Sequence, residues 1–409
     1  MSAERTCTAC LARTWLIARL AGSIEIARHQ KRRLREILAL SEEKLVAGLG
    51  GVRAAAIAEE FERLDVDALR EAVDRSGLEA ACRHDRAYPA RLRDLEDAPA
   101  VLFVAGGIAR LEALAGADLE QGPRAAAVVG TRRASADGLE VARALGRGLA
   151  AAGVTVVSGM ALGVDSAAHA GALEASGRTV AVLAGGADVP YPPSKARLHR
   201  LIGERGCVVG ELPPGFVALR WCFPARNRII AALAQMTIVV EAARRSGSLI
   251  TAEIAADIGR EVGAVPGPVT AWRSAGTNAL LRDGATVIRD AADALDVAVG
   301  IDRHEAAVLH LEPRLRALLG EVADGRDTLA ALAGAPDEVA PTLAALTELE
   351  LLGHLRRAAS TTIVMWASAA MIRLRAGKHQ RSATNPGGSS PTTQPRSPMS
   401  WCRRALLGG

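Results

Sequence analysis

Aromatic side chains make up only 3% of this 409-residue chain. That scarcity excludes a binding surface built mainly from stacked rings, as in many single-strand-binding OB-folds, and leaves phosphate contacts to dominate any hold on a nucleic acid. Long hydrophobic runs are missing too: the longest uncharged apolar stretches, IIAALAQMTIVV and TTIVMWASAAMI, fall well short of the roughly 20 residues a membrane-spanning helix needs. Arg13 and Arg19 interrupt the N-terminal CLARTWLIARLAG and spoil it as a signal-peptide core, so a cytoplasmic protein without a membrane anchor is expected. Cysteine is sparse, at positions 7, 10, 82, 207, 222 and 402. Only Cys7 and Cys10 form a CxxC, with no second pair at zinc spacing, so the thiols read as reduced and no metal site is expected.

What is present begins with length enough for two or three domains. Fifty basic residues against 45 acidic ones give a formal charge of +5, a tilt toward anionic partners that matters only where the bases cluster. Residues 1–82 read as a small N-terminal helical (SAM-like) domain, with helical apolar spacing, a basic HQKRRLR face and a GLGG turn. Pro89 and Pro99 oppose regular helix in the connector that follows. Residues 301–358 return to helical periodicity with a basic end, as in a winged-helix-like module, although LRRAASTTIVMWASAAM makes a poor wing. The Ser-, Pro- and Gly-rich remainder, within 359–409, reads as a disordered tail.

Between residues 83 and 300 short β-branched runs alternate with helical stretches: AAAVVG, VTVVSG, RTVAVLAGG, CVVGEL, MTIVVEA, EVGAVPG and ATVI. Apolar strands separated by helices predict an α/β fold, an extended Rossmann-like parallel sheet covered on both faces. Such sheets bind ligands beyond the carboxyl ends of their strands, so the loops there are the candidates.

Five loops qualify. In VVGTRRASADG, Gly130, Thr131, Arg132 and Arg133 precede a helix that Ser135 or Asp137 could cap; amides and two guanidinium groups make an anion site, or the pair is a solvated surface feature. In SGMALGVDSAAH, Ser158, Gly159 and Gly163 end a strand, but the glycines are spaced GxxxG and no Walker lysine follows, so neither a dinucleotide fingerprint nor a P-loop exists and no cofactor is expected. Asp165 and His169, four apart, read as a structural pair and not a catalytic one, since no nucleophile or metal cluster accompanies them. In GGADVPYPPSKARLHR, Lys195 stands where a backbone contact could form. In WCFPARNRIIAALAQM, Arg226, Asn227 and Arg228 crowd a first helical turn; cations there oppose the macrodipole, so either a bound anion or a buried carboxylate such as Glu211 or Glu241 must compensate them. In RRSGSLITAEIA, Gly247 and Ser248 offer donors, with Ser248 as a natural cap.

VVGTRRAS, SGMALGVDSAAH, FPARNRIIA, SGSLITAEIA and VPGPVTAWRSAGTNALLRDGA, in this order, closely resemble the DNA processing protein A (DprA/Smf) family over roughly residues 83–290. The resemblance implies single-stranded DNA binding, hand-over of that DNA to the RecA recombinase in natural transformation, homodimers, and no catalytic turnover. It also implies a phosphate contact at Arg132 and another basic contact after the YP dipeptide, for which Lys195 is the candidate. The chain departs from the family pattern at Leu162, Pro193 and Lys195. Two other readings remain: a nucleotide N-glycosidic-bond hydrolase of related architecture, whose PGGxGTxxE motif is not matched by LAGGADVPYP, and a sensor of a small nucleotide.

Overall fold

The computed structural model describes residues 6–30, 32–116, 124–299, 312–323, 326, 328–351, 355–357 and 363–365. They fall into two compact units, Met1–Leu281 with Ala285–Ala298, and Arg282–Gly284 with Val299–Gly409. All seven strand candidates are strands of the first unit: β3 (Ala125–Val129), β4 (Thr155–Ser158), β5 (Thr179–Val182), β6 (Cys207–Gly210), β7 (Met236–Val239), β8 (Glu261–Ala264) and β9 (Thr286–Val287). Two more join them, β1 (Glu79–Cys82) and β2 (Val101–Ala105). The result is the expected α/β architecture, one nine-stranded sheet in the order β1-β2-β6-β5-β4-β3-β7-β8-β9. Pairing is parallel from β6 across to β9 and antiparallel at β1–β2 and β2–β6.

Alternate residues of β3 face opposite sides: Ala125, Ala127 and Val129 share a core with Ile229, Ile230 and Leu233 of the helix Cys222–Leu233, while Ala126 and Val128 are equally buried and point the other way. Burial on both faces is why these runs are apolar throughout. From β3 the chain adds β4, β5 and β6 on one side, then returns to add β7, β8 and β9 on the other. The loops after β3, β4 and β7 therefore diverge at the reversal, where open α/β sheets form a crevice.

The first N-terminal helix packs on this sheet, Cys10 and Leu11 sharing a core with Val101 and Phe103 of β2, and the N-terminal helices also pack on the helix Cys222–Leu233 and the segment before it. Leu16, Leu20, Ile24 and Leu45 share a core with Leu212, Trp221 and Ala225. Strand β1 lies inside the segment expected to be helical, and it lengthens the sheet through its pairing with β2. The sequence EAAC carries no β-branched residue, so its strand state comes from pairing and burial, not from propensity.

The second unit holds helices Pro313–Ala323, Leu329–Ala333 and Val339–Leu351 around a core of Leu315, Leu319, Leu332, Leu346 and Leu349. Leu355–Arg357 then pairs antiparallel with Ile363–Met365. That second strand corrects the assignment of its residues to a disordered tail; the rest of the tail lies outside the described residues.

Candidate functional site

Beyond β3 the backbone turns at Gly130, where a Cβ would collide with the Val164 side chain and the Glu241 carbonyl. Ser135 caps the helix Ala136–Ala151, accepting from Gly138 N at 3.0 Å, as the sequence suggested. Glu241 then takes that helix start: Ser135 N donates to its carboxylate at 2.9 Å and Ser135 Oγ at 2.5 Å. A carboxylate at this position neutralises the positive helix end, so the amides there are already engaged. Thr131 is also tied inward, its N donating to Glu241 O at 2.7 Å and its Oγ1 accepting from Arg133 N at 3.2 Å. Arg132 and Arg133 remain exposed.

The loop after β4 is held from below. Ser158 is fully buried and its hydroxyl donates to Val128 O at 2.6 Å, which corrects the expectation that this side chain meets a ligand. Asp165 accepts from Gly159 N at 3.2 Å and from Ala161 N at 3.4 Å, the orienting role expected of it. Burial raises the Asp165 pKa, and the charge of Arg226 works against that rise. His169 does not pair with Asp165. Its Nδ1 lies 2.7 Å from Thr179 Oγ1, and burial pushes its pKa down to about 3. Gly163 adopts φ +82°, a left-handed conformation open to glycine, and a Cβ there would strike the Thr131 carbonyl.

The crowded arginines of the helix Cys222–Leu233 separate completely. Arg228 is a correction to the expected ligand contacts: its side chain is 2% exposed and bridges Glu211 at 2.6 Å and Asp97 at 3.1 Å. Burial disfavours its charge, but the charge and hydrogen bonds of Glu211, with Asp97 behind, hold its pKa above the ordinary value. Glu211 is thus the compensating carboxylate that the macrodipole argument required. Arg226 points the other way, donating through Nη1 to Gly159 O and Val182 O. Burial lowers its pKa to about 10, against the pull of Asp165, so it stays charged at neutral pH. A Cβ on Gly159 would overlap this guanidinium, which explains the glycine. Asn227 Nδ2 donates to Gly247 O at 3.3 Å, joining this helix to the start of Gly247–Asp257. The cap of that second helix is Ser246, whose Oγ accepts from Ser248 N at 3.4 Å, and not Ser248 as the sequence suggested.

Six of the candidate residues, Gly130, Arg132, Arg226, Asn227, Gly247 and Ser248, line one cleft of about 420 Å³. Gly159 opens on a smaller adjoining hollow of about 60 Å³ that shares Arg132 and Arg226. Lys195 lines neither cavity. Sequence reasoning missed three participants. Arg28, from the N-terminal helices, reaches the cleft wall. Phe223 lies under Arg132, whose guanidinium carbon is 5.1 Å from the ring centroid. Tyr191 tilts against Phe223 with centroids 5.0 Å apart. The signal available was the YP dipeptide and the FPARN turn themselves; their meeting is tertiary. Among the described residues Arg132 forms no ion pair, so its charge is available to an incoming anion beside two aromatic faces.

This arrangement defines an open doubly wound α/β protein with a guanidinium-lined cleft at its topological switch point. The sequence pattern of the family described as DNA recombination-mediator protein A matches residues 79–299, more than half of the chain, and the chain belongs to this family. It is 37% identical over 284 residues to Protein Smf of Escherichia coli, covering 66% of this chain and 72% of that one. It is 49% identical over 207 residues to a Mycobacterium tuberculosis relative described as a DNA processing protein DprA, covering 51% of each, so the match spans about half the length of that relative. The X-ray structure of DNA processing protein A from Streptococcus pneumoniae superposes with a TM-score of 0.56 at 32% identity, covering 71% of this chain and 98% of that one.

Proposed function

We propose that the cleft holds the backbone of single-stranded DNA and that the chain acts as a recombination mediator without turnover. The observation that carries this reading is Arg132, exposed and unpaired over Phe223 with Tyr191 alongside, at the mouth of a cleft that Arg226 also lines. A guanidinium beside ring faces offers a phosphate contact and a stacking platform together, the combination suited to unpaired bases. Gly247, at the start of an 11-residue helix, adds a backbone amide where the macrodipole favours an anion.

Hand-over of the strand to the RecA recombinase, homodimerisation, a role in natural transformation and a cytoplasmic location extend this reading and rest on family membership. Among the described residues, no helix is long and apolar enough to cross a membrane. Two observations speak for binding over N-glycosidic hydrolysis. Asp165, the one carboxylate among the described residues of the cleft wall, is engaged with the amides of Gly159 and Ala161. Gly185 and Gly186 pack against the carbonyls of Phe216 and Pro213 and do not line the cleft.

The test is fluorescence anisotropy of the full chain with labelled poly(dT) of several lengths and a matching duplex, at two salt concentrations. Tighter, salt-sensitive binding to longer single strands is the expected result. Binding of mononucleotides with no length dependence, or their hydrolysis, would overturn it.

A further inference from the structure

We propose that Cys7, Cys10, Cys82 and His84 bind a structural zinc ion. The expectation of no metal rested on a lone CxxC, and the fold supplies the missing half. One ligand atom from each of these four residues lies within 4.8 Å of every other. His84 Nδ1 is 3.4 Å from Cys7 Sγ and 3.5 Å from Cys10 Sγ. A tetrahedral zinc with Zn–S near 2.3 Å and Zn–N near 2.05 Å separates sulfur from nitrogen by about 3.6 Å. The two distances are those of a site ready to close on the ion.

The donor set decides the class of metal. Three sulfurs and one imidazole nitrogen suit zinc and disfavour magnesium or calcium, which take oxygen ligands. No disulfide joins Cys7, Cys10 or Cys82, so none competes for them. Four protein ligands fill a tetrahedral shell and leave no open position, the mark of a structural and not a catalytic zinc.

Position gives the ion its role. Cys7 is the N-cap of the helix Thr8–Arg19 and Cys10 lies in its first turn, whereas Cys82 ends β1 and His84 lies in the turn after it. Cys10 and Cys82 belong to one core cluster with Leu11, Leu78, Val101 and Phe103. Beside them Thr6 Oγ1 donates to Ala80 O at 3.1 Å. The ion would therefore fasten the first helix to the edge of the sheet, cross-linking residues 74 apart in sequence and stabilising the folded state by its binding free energy. None of the four residues lines the cleft, so this proposal stands apart from DNA binding.

The experiment is metal analysis of the full-length protein purified with a reductant and no chelator, followed by Co(II) substitution. About one zinc per chain is expected, as a closed four-ligand site requires, and Co(II) should show thiolate charge-transfer and tetrahedral ligand-field bands. Cys82→Ser and His84→Ala should lower the zinc content to about a tenth or less, while Cys222→Ala leaves it unchanged. Should the ligand variants fail to fold, His84→Cys keeps the question open to measurement: it should retain zinc and intensify the Co(II) charge-transfer band. Chelation of the wild-type protein should lower its Tm, and added zinc should restore it. Wild-type protein that holds no zinc and gives no thiolate band on Co(II) addition under reducing conditions would overturn the proposal, as would a disulfide between Cys82 and either Cys7 or Cys10 in its place.

Discussion

Arg226 and Arg228 lie two residues apart on one helix, yet they belong to different parts of the molecule. Arg228 is enclosed by Asp97 and Glu211; like Ser158, Asp165 and His169 it is a buried polar group that hydrogen-bonds to other parts of the chain, and such groups make up the buried floor of this unit. Arg226 is nearly as buried but forms the base of the cleft, below an exposed rim of Arg132 and Tyr191. The floor fixes where the strand-end loops run, and the rim leaves its charge and ring faces exposed. Buried ion pairs contribute little net stability but cost much when half removed, whereas an exposed arginine can be lost with little effect on folding. The two regions should therefore respond to mutation in opposite assays.

The largest effect is expected at the floor. Arg228→Ala leaves Glu211 and Asp97 short of a partner and should cost about 3–5 kcal/mol, somewhat less to the extent that Arg35, 3.3 Å from Asp97, compensates. Urea unfolding measures it; near-wild-type stability would erase the distinction between floor and rim. Next comes acid sensitivity. His169 has its pKa lowered from 6.5 to about 3 by burial, so the unfolded chain takes up a proton that the folded one refuses. Stability from this source is complete above pH 6.5 and is lost as pH falls toward 3, at up to about 1.4 kcal/mol per pH unit. His169→Asn, which can keep a donor toward Thr179, should flatten that slope in unfolding curves taken between these limits; an unchanged slope would assign the acid sensitivity elsewhere.

At the rim the readout changes from stability to binding. Arg132→Ala should weaken single-strand binding roughly tenfold and lower the salt slope by about 0.7, the share of one phosphate contact on a single strand, with Tm unchanged. Unaltered affinity and slope would remove Arg132 from the interface. The smallest effect is expected at Lys195, which lines neither cavity: Lys195→Ala should weaken binding about twofold or less through the long-range field alone. A loss comparable to that at Arg132 would extend the DNA path over the loop after Tyr191 and Pro192.

Much of this was readable before folding. Seven strands were visible because a sheet buried on both faces demands continuous apolar runs, and the candidate loops followed because strand ends at a reversal form a crevice. Strand β1 escaped, since EAAC gains its state from pairing with β2. The occupant of the N-terminus of Ala136–Ala151 escaped as well, because Glu241 arrives from the end of β7. Phe223 and Tyr191 are two of the few aromatic residues and lie far apart in sequence, yet the fold gathers them at one rim. Cys82 and His84 looked unrelated to the CxxC until β1 carried them beside it.

By itself the sequence determined the α/β class, the strand ends and the family, because periodicity, glycine at sharp turns and block order are local properties of a chain. It also determined that the arginines after Pro224 needed compensating charge. Only the tertiary structure decided which of them borders the cleft and which is paired with carboxylates inside. The electrostatic role of a guanidinium depends on the carboxylates it meets across the sheet, and those come from distant parts of the chain.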